Sequence, residues 1–278
     1  MVSIELDKIS FCYSNGEAEP VFSDFNLHIA PGDWLVLVGP SGAGKTTLIK
    51  LAKGLLQPQG GEIRINGAAL PAGKLNHLAA CVFANPENQI VSPVVAEDVA
   101  FGLELCGLRP ERIAMRVEEA LRWVDLWERA GDFSHFLSGG EQQRLILAGA
   151  LALRKQCLLL DDPLCMVDGR TRARVLEVLK SVHREESCTM VQTTNLLEEA
   201  VFARRLVAIE SGRLLFDGPP VEFFQEKRLI ERLALEVPAI ARLGEMLAEG
   251  GLAKAAGVCT VEQVLALLRD SQNVSCRQ

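Results

Sequence analysis

The segment from residue 39 to residue 47 constrains the fold of this 278-residue chain more than any other. Its sequence, GPSGAGKTT, fits the phosphate-binding pattern G-x-x-x-x-G-K-[ST]. The preceding residues 34–38 read as a buried strand, and residues 48–54 read as a helix that stops at a glycine. A glycine-rich turn that binds nothing would not need this order of elements. The pattern therefore predicts a loop that binds the phosphates of a nucleotide.

Each residue type in this loop has a chemical reason to be there. Glycines let consecutive backbone N–H groups turn towards one anion, and the following helix adds the positive end of its dipole. Lys45 is expected to reach the β- and γ-phosphates, and the Thr46 hydroxyl is expected to ligate Mg²⁺. A nucleotide and Mg²⁺ are the ligands that this loop predicts. The expected nucleotide-binding residues of the loop are Gly39, Pro40, Ser41, Gly42, Ala43, Gly44, Lys45, Thr46 and Thr47.

Composition excludes several classes of protein. The formal net charge of −7 argues against a nucleic-acid-binding surface, because such surfaces are normally basic. No segment approaches the roughly 18 uninterrupted apolar residues of a membrane span, and residues 1–5 lack the features of a signal peptide. The eight cysteines include no C-x-x-C pair, so we expect them to be reduced and mostly buried. These features predict a cytoplasmic location.

The rest of the chain alternates between strand-like and helix-like patterns, which predicts an α/β fold. Helical character is expected from about residue 75 to residue 131, and a hairpin is expected across residues 211 and 212. After residue 218 the strand patterns stop, and three amphipathic helices are expected as a separate appendage. The expected strands are 4–11, 25–29, 62–67, 157–160, 189–193, 206–209 and 213–216, and the expected C-terminal helices are 223–233, 240–247 and one from the capping box at 260–263.

A second motif, LSGGEQ, occupies residues 137–142 and precedes a long helical pattern. Ser138 is a good N-cap, and Gly139 and Gly140 expose backbone N–H groups at the positive end of the helix dipole. By itself this motif could belong to an ordinary capped helix. It becomes specific because it follows a phosphate loop and precedes the run LLLDDP at residues 158–163.

Together the two motifs make the chain resemble the nucleotide-binding subunits of ABC transporters, from Ile4 to about Gly218. The resemblance implies a P-loop NTPase (RecA-like) core with an antiparallel β subdomain, an inserted helical subdomain at about 75–131 and a C-terminal helical extension. The expected ATPase domain is 1–218, and the extension, 219–278, would serve dimer contacts. The resemblance also implies that the protein hydrolyses ATP to drive transport.

The resemblance assigns roles to single residues as well. Asp161 matches the Walker B carboxylate that holds Mg²⁺, usually through water, and Asp168 matches the aspartate of the D-loop. Tyr13 matches the aromatic residue that stacks on adenine, the alternative being a plain strand aromatic. In the family's head-to-tail dimer the signature motif contacts the nucleotide held by the partner subunit, which implies nucleotide contacts for Ser138, Gly139, Gly140 and Glu141.

Further motifs narrow the resemblance to the energy-coupling factor (ECF) group, the ATPases of cobalt, nickel and vitamin importers. These motifs are VFANPENQIV at 82–91, EDVAFG at 97–102 and LEVP at 235–238. They imply three partners: a second ABC ATPase subunit, an integral membrane transporter subunit and a substrate-binding membrane subunit. The chain would then be peripheral, on the cytoplasmic face of the cell membrane, and would couple ATP hydrolysis to uptake of a vitamin or metal ion.

Three residues depart from the family pattern, and all three belong to one nucleotide site. Ala84 stands where the family usually has Gln, Asp162 where it has Glu, and Asn195 where it has His. Ala84 cannot coordinate metal or hold the attacking water. The shorter Asp162 moves a general base by about 1.5 Å, and such a base works only within hydrogen-bond reach. Asn195 can donate only a neutral hydrogen bond. We expect these three catalytic positions to make the chain's own site slow.

The intact parts of the site predict how the chain assembles. The binding residues Lys45, Thr46 and Asp161 and the signature residues 138–140 match the family. A homodimer would hold two impaired sites. A heterodimer would hold one impaired site and one site built on the partner's catalytic residues, completed by this chain's signature helix. We therefore expect a heterodimer.

Other functions stay open at this point. The chain could be a regulatory ATP-binding module that never hydrolyses, or Asp162 could be a sluggish base while the other two changes are drift. A soluble ABC ATPase of DNA repair or translation usually has two cassettes or a long coiled coil, and neither is found in this sequence. A small-molecule P-loop kinase would not need the motif at residues 137–142.

Overall fold

The computed structural model describes residues 1–13, 19–250 and 263–267 of the chain. Over these residues the strands form two sheets, one of four strands and one of six. The predicted strands are present, with their ends shifted by a few residues. In chain order the strands are β1 (Ile4–Phe11), β2 (Phe22–Ile29), β3 (Trp34–Val38), β4 (Gly60–Ile65), β5 (Ala68–Ala69), β6 (Ala79–Val82), β7 (Cys157–Asp161), β8 (Thr189–Thr193), β9 (Arg205–Glu210) and β10 (Arg213–Gly218).

The four-stranded sheet is antiparallel and has the order β2-β1-β4-β5. Ile4 of β1 pairs with Ile29 on one side and with Ile65 on the other. Along β2 the buried residues are separated by exposed ones, which is the pattern of a strand with one solvated face. This sheet confirms the predicted antiparallel β subdomain.

The six-stranded sheet has the order β10-β9-β3-β8-β7-β6 and forms the centre of the molecule. Its strands are parallel except for β10, which pairs antiparallel with β9 at one edge. Every residue of β3, β7 and β8 is buried, as expected of strands covered on both faces. Because parallel strands end at the same edge, the segments after β3, β7 and β8 meet there, and such an edge is where α/β proteins bind ligands.

Helices and the smaller sheet cover the two faces of the central sheet. Val36 and Val38 belong to one hydrophobic cluster together with residues of the large helices, and Leu35 and Leu37 belong to a second cluster with α1 and the antiparallel sheet. Among the described residues, none of the helices combines the length and the apolar character that crossing a bilayer requires. The helices are α1 (Lys45–Lys53), α2 (Val95–Leu105), α3 (Pro110–Trp123), α4 (Gly139–Ala152), α5 (Gly169–Glu186), α6 (Leu197–Ala200), α7 (Pro220–Phe223), α8 (Lys227–Arg232) and α9 (Ala239–Glu249).

The helical region differs from the prediction at its start. Helical character was expected from about residue 75, but residues 79–82 form β6 and pair in parallel with β7 in the central sheet. The α-helices of this region begin only at Val95. The sequence Ala79–Val82 is short and apolar, and periodicity alone does not separate a buried strand of this length from a helix.

The C-terminal region differs from the prediction of a separate appendage. Instead of one helix over 223–233 the structure has two, α7 and α8, and α9 confirms the second predicted helix. The predicted start of the third helix, from residue 260, lies outside the described residues. The described residues 263–267 are helical. Phe223 is fully buried, with its ring 5.2 Å from that of Phe216 in β10, and belongs to the large hydrophobic cluster of the central sheet. The first part of the extension therefore shares the main core.

The hairpin turn between β9 and β10 supports the phosphate loop, and a substitution there tests this support. Gly212 has φ 68°, its N–H donates to the carbonyl oxygen of Ala43 at 3.2 Å, and a Cβ at Gly212 would lie 1.8 Å from the carbonyl oxygen of Val21. Gly212→Ala should lower the free energy of unfolding by about 2–4 kcal/mol through strain and overpacking. Chemical denaturation measures this change.

Gly67→Ala is the matched control for this substitution. Gly67 has a similar φ, 76°, but a Cβ there would meet no atom within 4 Å. Gly67→Ala should therefore lower the free energy of unfolding only by the conformational penalty, about 1–2 kcal/mol. Equal losses for the two variants would show that the contact with Val21 is unimportant.

Candidate nucleotide-binding site

The phosphate loop connects β3 to α1 at the carboxyl edge of the central sheet. Gly42 and Gly44 adopt left-handed conformations, with φ 82° and 105°. At Gly39, a Cβ would lie 2.0 Å from the carbonyl oxygen of Ile209 in β9, so only glycine fits. Within the described chain no side chain caps the start of α1 at Lys45. The first N–H groups of this helix are thus left to bind an anion.

The ammonium group of Lys45 lies across the loop. It donates to the carbonyl oxygens of Gly39 and Pro40, at 2.5 and 3.2 Å, and to Oδ1 of Asn195 at 2.9 Å. Phosphate oxygens could replace these acceptors, since all of them are uncharged. The structure therefore brings Asn195, one of the three departures from the family pattern, into direct contact with the lysine of the loop.

Thr46 and Asp161, the two expected ligands of Mg²⁺, lie side by side. The Thr46 hydroxyl donates to Asp161 Oδ1 at 3.0 Å, and the Thr193 hydroxyl donates to the same oxygen at 2.8 Å. Only 3% of Asp161 is exposed. A hydroxyl and a carboxylate are the oxygen donors that Mg²⁺ prefers, and the ion usually keeps several waters. The residues present fit the metal, and their role as ligands stays a prediction.

Asp162 follows directly and is held in an unusual backbone conformation, with φ 45°. Its N–H donates to the Thr193 hydroxyl at 2.9 Å. Burial raises the pKa of the Asp162 carboxyl, the charge of Lys45 opposes this, and the neighbouring Asp161 adds to it. Burial in turn lowers the pKa of Lys45. A carboxylate with a raised pKa accepts a proton more readily near neutral pH, which suits a general base.

Ala84 lies in the loop after β6, and its side chain offers no polar atom to a nucleotide. Its carbonyl oxygen is 3.9 Å from Cys165 Sγ, in the segment that follows Asp162. A nearby glutamine, Gln89, fixes this loop through its side chain. Gln89 accepts from the N–H of Phe83 at 2.6 Å and donates to the carbonyl oxygen of Cys81 at 3.1 Å. Gln89 is the last residue of the sequence motif NPENQ at residues 85–89.

The signature motif forms the start of α4, away from the phosphate loop. Among the described residues no hydrogen bond joins residues 138–141 to residues 39–47. A Cβ at Gly140 would lie 2.8 Å from the carbonyl oxygen of Met166, and one at Gly139 would lie 3.2 Å from Met166 Sδ. The two glycines therefore let this helix end pack against the segment after Asp162. One chain alone does not bring the two motifs together.

A capping box orders the signature serine. Ser138 Oγ accepts from the N–H of Glu141, and Glu141 Oε2 accepts from the N–H and the hydroxyl of Ser138, both at 2.8 Å. Arg129 donates to Glu141 Oε1 at 2.8 Å. Burial alone would raise the pKa of Glu141, but these hydrogen bonds and the Arg129 charge together hold it below its usual value. Arg129 is a further residue that the sequence did not reveal, because it lies outside the motif.

Tyr13 follows the end of β1 and is not part of the strand. Its hydroxyl lies 2.9 Å from Thr47 Oγ1, and its ring contacts Phe11 edge-on at 5.0 Å. The side chain is 58% exposed, beside the start of α1. These contacts place an accessible aromatic ring next to the phosphate loop. Adenine stacking stays a prediction.

Fold and site together define a P-loop nucleotide-binding protein. Residues 22–165 match the family described as ABC transporter. The chain is 37% identical over 268 residues to the energy-coupling factor transporter ATP-binding protein EcfA1 of Caldanaerobacter subterraneus subsp. tengcongensis, with 94% of this chain and 97% of the relative covered. The protein of the same name from Clostridium novyi is 35% identical, with 94% and 96% covered. The chain belongs to the ABC transporter family, which confirms the predicted family and ATP-binding class.

Solved structures agree with this assignment. The fold matches cbiO1 from Clostridium perfringens, part of the ABC transporter complex cbiONQ, with a TM-score of 0.72 and 27% identity over 87% of this chain and 98% of that chain. It also matches the ATP-binding cassette MJ0796, solved as a dimer bound to ADP and Pi, with a TM-score of 0.71 and 26% identity over 78% and 98% of the two chains. The predicted P-loop NTPase fold is confirmed.

Proposed function

We propose that this chain is the ATP-binding subunit of an ECF-type ABC importer, which couples MgATP binding and hydrolysis to uptake of a vitamin or metal ion. It would lie on the cytoplasmic face of the membrane. Its partners would be an integral membrane transporter subunit, a substrate-binding membrane subunit and a second ABC ATPase. The ECF names of the relatives and the membership of cbiO1 in cbiONQ support this proposal.

The chain's own residues divide into binding and catalytic groups in this proposal. Lys45 and the loop N–H groups would hold the triphosphate, and Tyr13 would stack on adenine. Thr46 and Asp161 would hold Mg²⁺, which when bound neutralises phosphate charge. Asp162 would orient the attacking water as a short-armed base.

The contact of Asn195 with Lys45 is the main observation in favour of slow hydrolysis at this chain's own nucleotide site. An amide oxygen accepts from the lysine at 2.9 Å at the position where the family has an imidazole. The amide carries no positive charge that could stabilise the transferring phosphoryl group. With Ala84 offering no polar atom, we infer that this site binds ATP and hydrolyses it slowly. Because the signature helix is intact, the active site of the assembly would be built on a partner ATPase.

The membrane-facing surface in this proposal lies around residues 85–89. Asn85 caps a short turn of 3₁₀ helix at residues 86–88 through its side chain, which fixes the loop. Glu87 and Asn88 are exposed, and Val91 beyond them is 61% exposed. A polar loop next to an exposed apolar side chain suits the end of a membrane subunit's helix.

Purifying this chain with its partners tests the proposal. We expect the chain alone to bind ATP but turn it over about 10²–10⁴ times more slowly than the assembly that contains the partner ATPase. We also expect affinity purification to recover a second ABC ATPase and membrane subunits in fixed ratio. The measurements are phosphate release and mass spectrometry of the purified assembly. Fast hydrolysis by this chain alone would contradict the slow site and the heterodimer.

A regulatory module that binds ATP without hydrolysing it is the second candidate. Asn195 favours it, because an uncharged amide contacts Lys45 at the position where the family has an imidazole. The two candidates differ in one result. A regulatory module would bind ATP and act on its partners through that binding, but the complete assembly would show no ATP turnover.

A further inference from the structure

A buried polar cluster lies beneath the nucleotide site, and the chemistry above does not use it. Its centre is Glu199 of α6, whose side chain is only 2% exposed. Gln192 donates to Glu199 Oε2 at 2.7 Å, and Gln192 Oε1 lies 3.4 Å from Trp34 Nε1. The N–H of Glu199 donates to the carbonyl oxygen of Leu196 at 3.0 Å. The cluster therefore anchors α6 to β8 and β3.

Arg172 of α5 faces the same carboxylate from the other side. Its Nε lies 3.5 Å from Glu199 Oε1, and its Nη2 donates to the carbonyl oxygen of Val167 at 2.8 Å. Val167 precedes Asp168, which caps α5 and matches the D-loop aspartate. Arg172 Nε is buried and finds no hydrogen-bond partner among the described residues. A buried donor without a partner is unfavourable, and a small shift towards Glu199 would supply one.

Glu199 also lies beside the loop that follows β8. Its N–H donates to the carbonyl oxygen of Leu196, the residue after Asn195, and the Leu196 N–H donates to the Thr194 hydroxyl at 3.0 Å. Asn195 Oδ1 in turn accepts from Lys45. Glu199 is thus joined to the D-loop through Arg172 and to the Asn195 loop through its own backbone.

Stability alone does not explain a charged pair at this place. Taking two ions out of water costs free energy that their attraction often fails to return, and neutral side chains of similar volume are usually as stable. The pair lies between two separate loops, with Arg172 Nε 3.5 Å from Glu199 Oε1. Its location between those loops points to positioning.

We propose that Glu199 and Arg172 form a positioning pair that couples the D-loop to the Asn195 loop. Movement of either loop on nucleotide binding or dimer closure would then be passed to the other. This inference goes beyond the proposed function and rests on it only where turnover is the readout. Neither residue contacts the phosphate loop or the expected Mg²⁺ ligands directly.

The coupling should depend on pH. Burial raises the pKa of Glu199 to about 7, against the polar side chain of Thr194, the charge of Arg172 and the hydrogen bond from Gln192. As the pH falls through about 7, Glu199 becomes neutral and its attraction to Arg172 is lost. The coupling is therefore present at higher pH and lost at lower pH. The charged and titratable groups that face Glu199 are Arg172 on α5, Asp162 after β7 and Cys165 in the segment that follows.

Hydrogen exchange of the backbone amides in residues 163–172 tests this coupling in the purified chain. At about pH 8, Glu199→Gln should exchange at least about fivefold faster in this segment than the unsubstituted chain, because the D-loop loses its anchor. At about pH 6 the two should agree within about twofold, since Glu199 is then mostly neutral and the glutamine that replaces it is uncharged. Exchange is compared only at equal pH. Glu199→Gln keeps the volume and hydrogen-bonding shape of the side chain, so it should fold.

Two controls make the test specific. Glu198→Gln removes the same charge from the adjacent, exposed position and should leave exchange unchanged at both pH values. Arg172→Gln should give the same increase as Glu199→Gln, and the double variant should add nothing, because the two residues act as one unit. Additive effects, or no change in Glu199→Gln at the higher pH, would overturn the proposal.

Slow turnover by the purified chain alone gives a second readout. Glu199→Gln should lower this kcat about tenfold with KM for ATP within about twofold, because it disturbs loop positions and not ATP binding. A fall in ATP affinity instead would indicate general disruption of the site and would overturn the proposal. Absence of turnover in the unsubstituted chain would count against the proposed hydrolysis alone, since the exchange result is independent of it.

Discussion

Ser138→Arg in this chain should reduce ATP turnover of the mixed assembly by about 10²–10³-fold, whereas Lys45→Ala in the same chain should change it by less than about threefold. The reason is the head-to-tail arrangement that the family resemblance implies. Ser138 would contact the nucleotide held by the partner ATPase, where fast hydrolysis is expected. Lys45 would contact the nucleotide of this chain's own slow site, which contributes little to the total rate. The measurement is phosphate release by the purified assembly.

ATP binding by the purified chain serves as the control, because here Lys45→Ala should have the large effect and Ser138→Arg the small one. Lys45→Ala should weaken ATP binding about 10–100-fold, because a charged hydrogen-bond donor to the phosphates is lost. Ser138→Arg should leave this affinity unchanged, because the signature helix makes no hydrogen bond with the phosphate loop of its own chain among the described residues. If both variants stop turnover equally, the two sites are equivalent and the unequal pair is wrong.

Combining Ala84→Gln, Asp162→Glu and Asn195→His should raise ATP turnover of the purified chain by about 10²–10⁴-fold. Glutamine supplies a polar atom for the attacking water where the structure has a methyl group. Glutamate extends the base by one methylene. Histidine replaces the amide that contacts Lys45 at 2.9 Å. Each single substitution should give much less, since residues that act as a unit are not additive.

The same triple variant carrying Lys45→Ala controls for contaminating ATPases and should show no gain. Thermal unfolding checks that the variant folds, which matters at Asp162 because its φ of 45° suits Asp better than Glu. A folded triple variant that binds ATP with unchanged affinity but gains no turnover would refute these three residues as the cause of slow hydrolysis.

Local patterns in the sequence predicted most of the fold. The buried strand at residues 157–161 begins with a run of four apolar residues, which is the pattern of a strand covered on both faces. The phosphate loop was predictable because each of its residues has a chemical reason that does not depend on distant parts of the chain. The strand at 79–82 was missed because four residues carry too little periodicity.

The contacts between distant segments were not predictable in the same way. The hydrogen bond from Lys45 to Asn195 joins residues separated by 150 positions, and the approach of Arg172 to Glu199 depends on how α5 and α6 pack. Phe223 and its neighbours read as an independent helix, yet they pack into the main core against Phe216. An amphipathic pattern indicates that one face of a helix is buried. It does not indicate which element of the fold covers that face.

The sequence by itself determined the family, most of the strands, the phosphate loop and the three unusual residues of the site, because these depend on residue types and spacings along a short stretch of chain. Only the tertiary structure decided that Asn195 contacts Lys45, that Gln89 and Arg129 hold the neighbouring loops, and that Arg172 approaches the buried Glu199. These contacts form where parallel strands end at one edge of a sheet, and that edge exists only after the strands have paired.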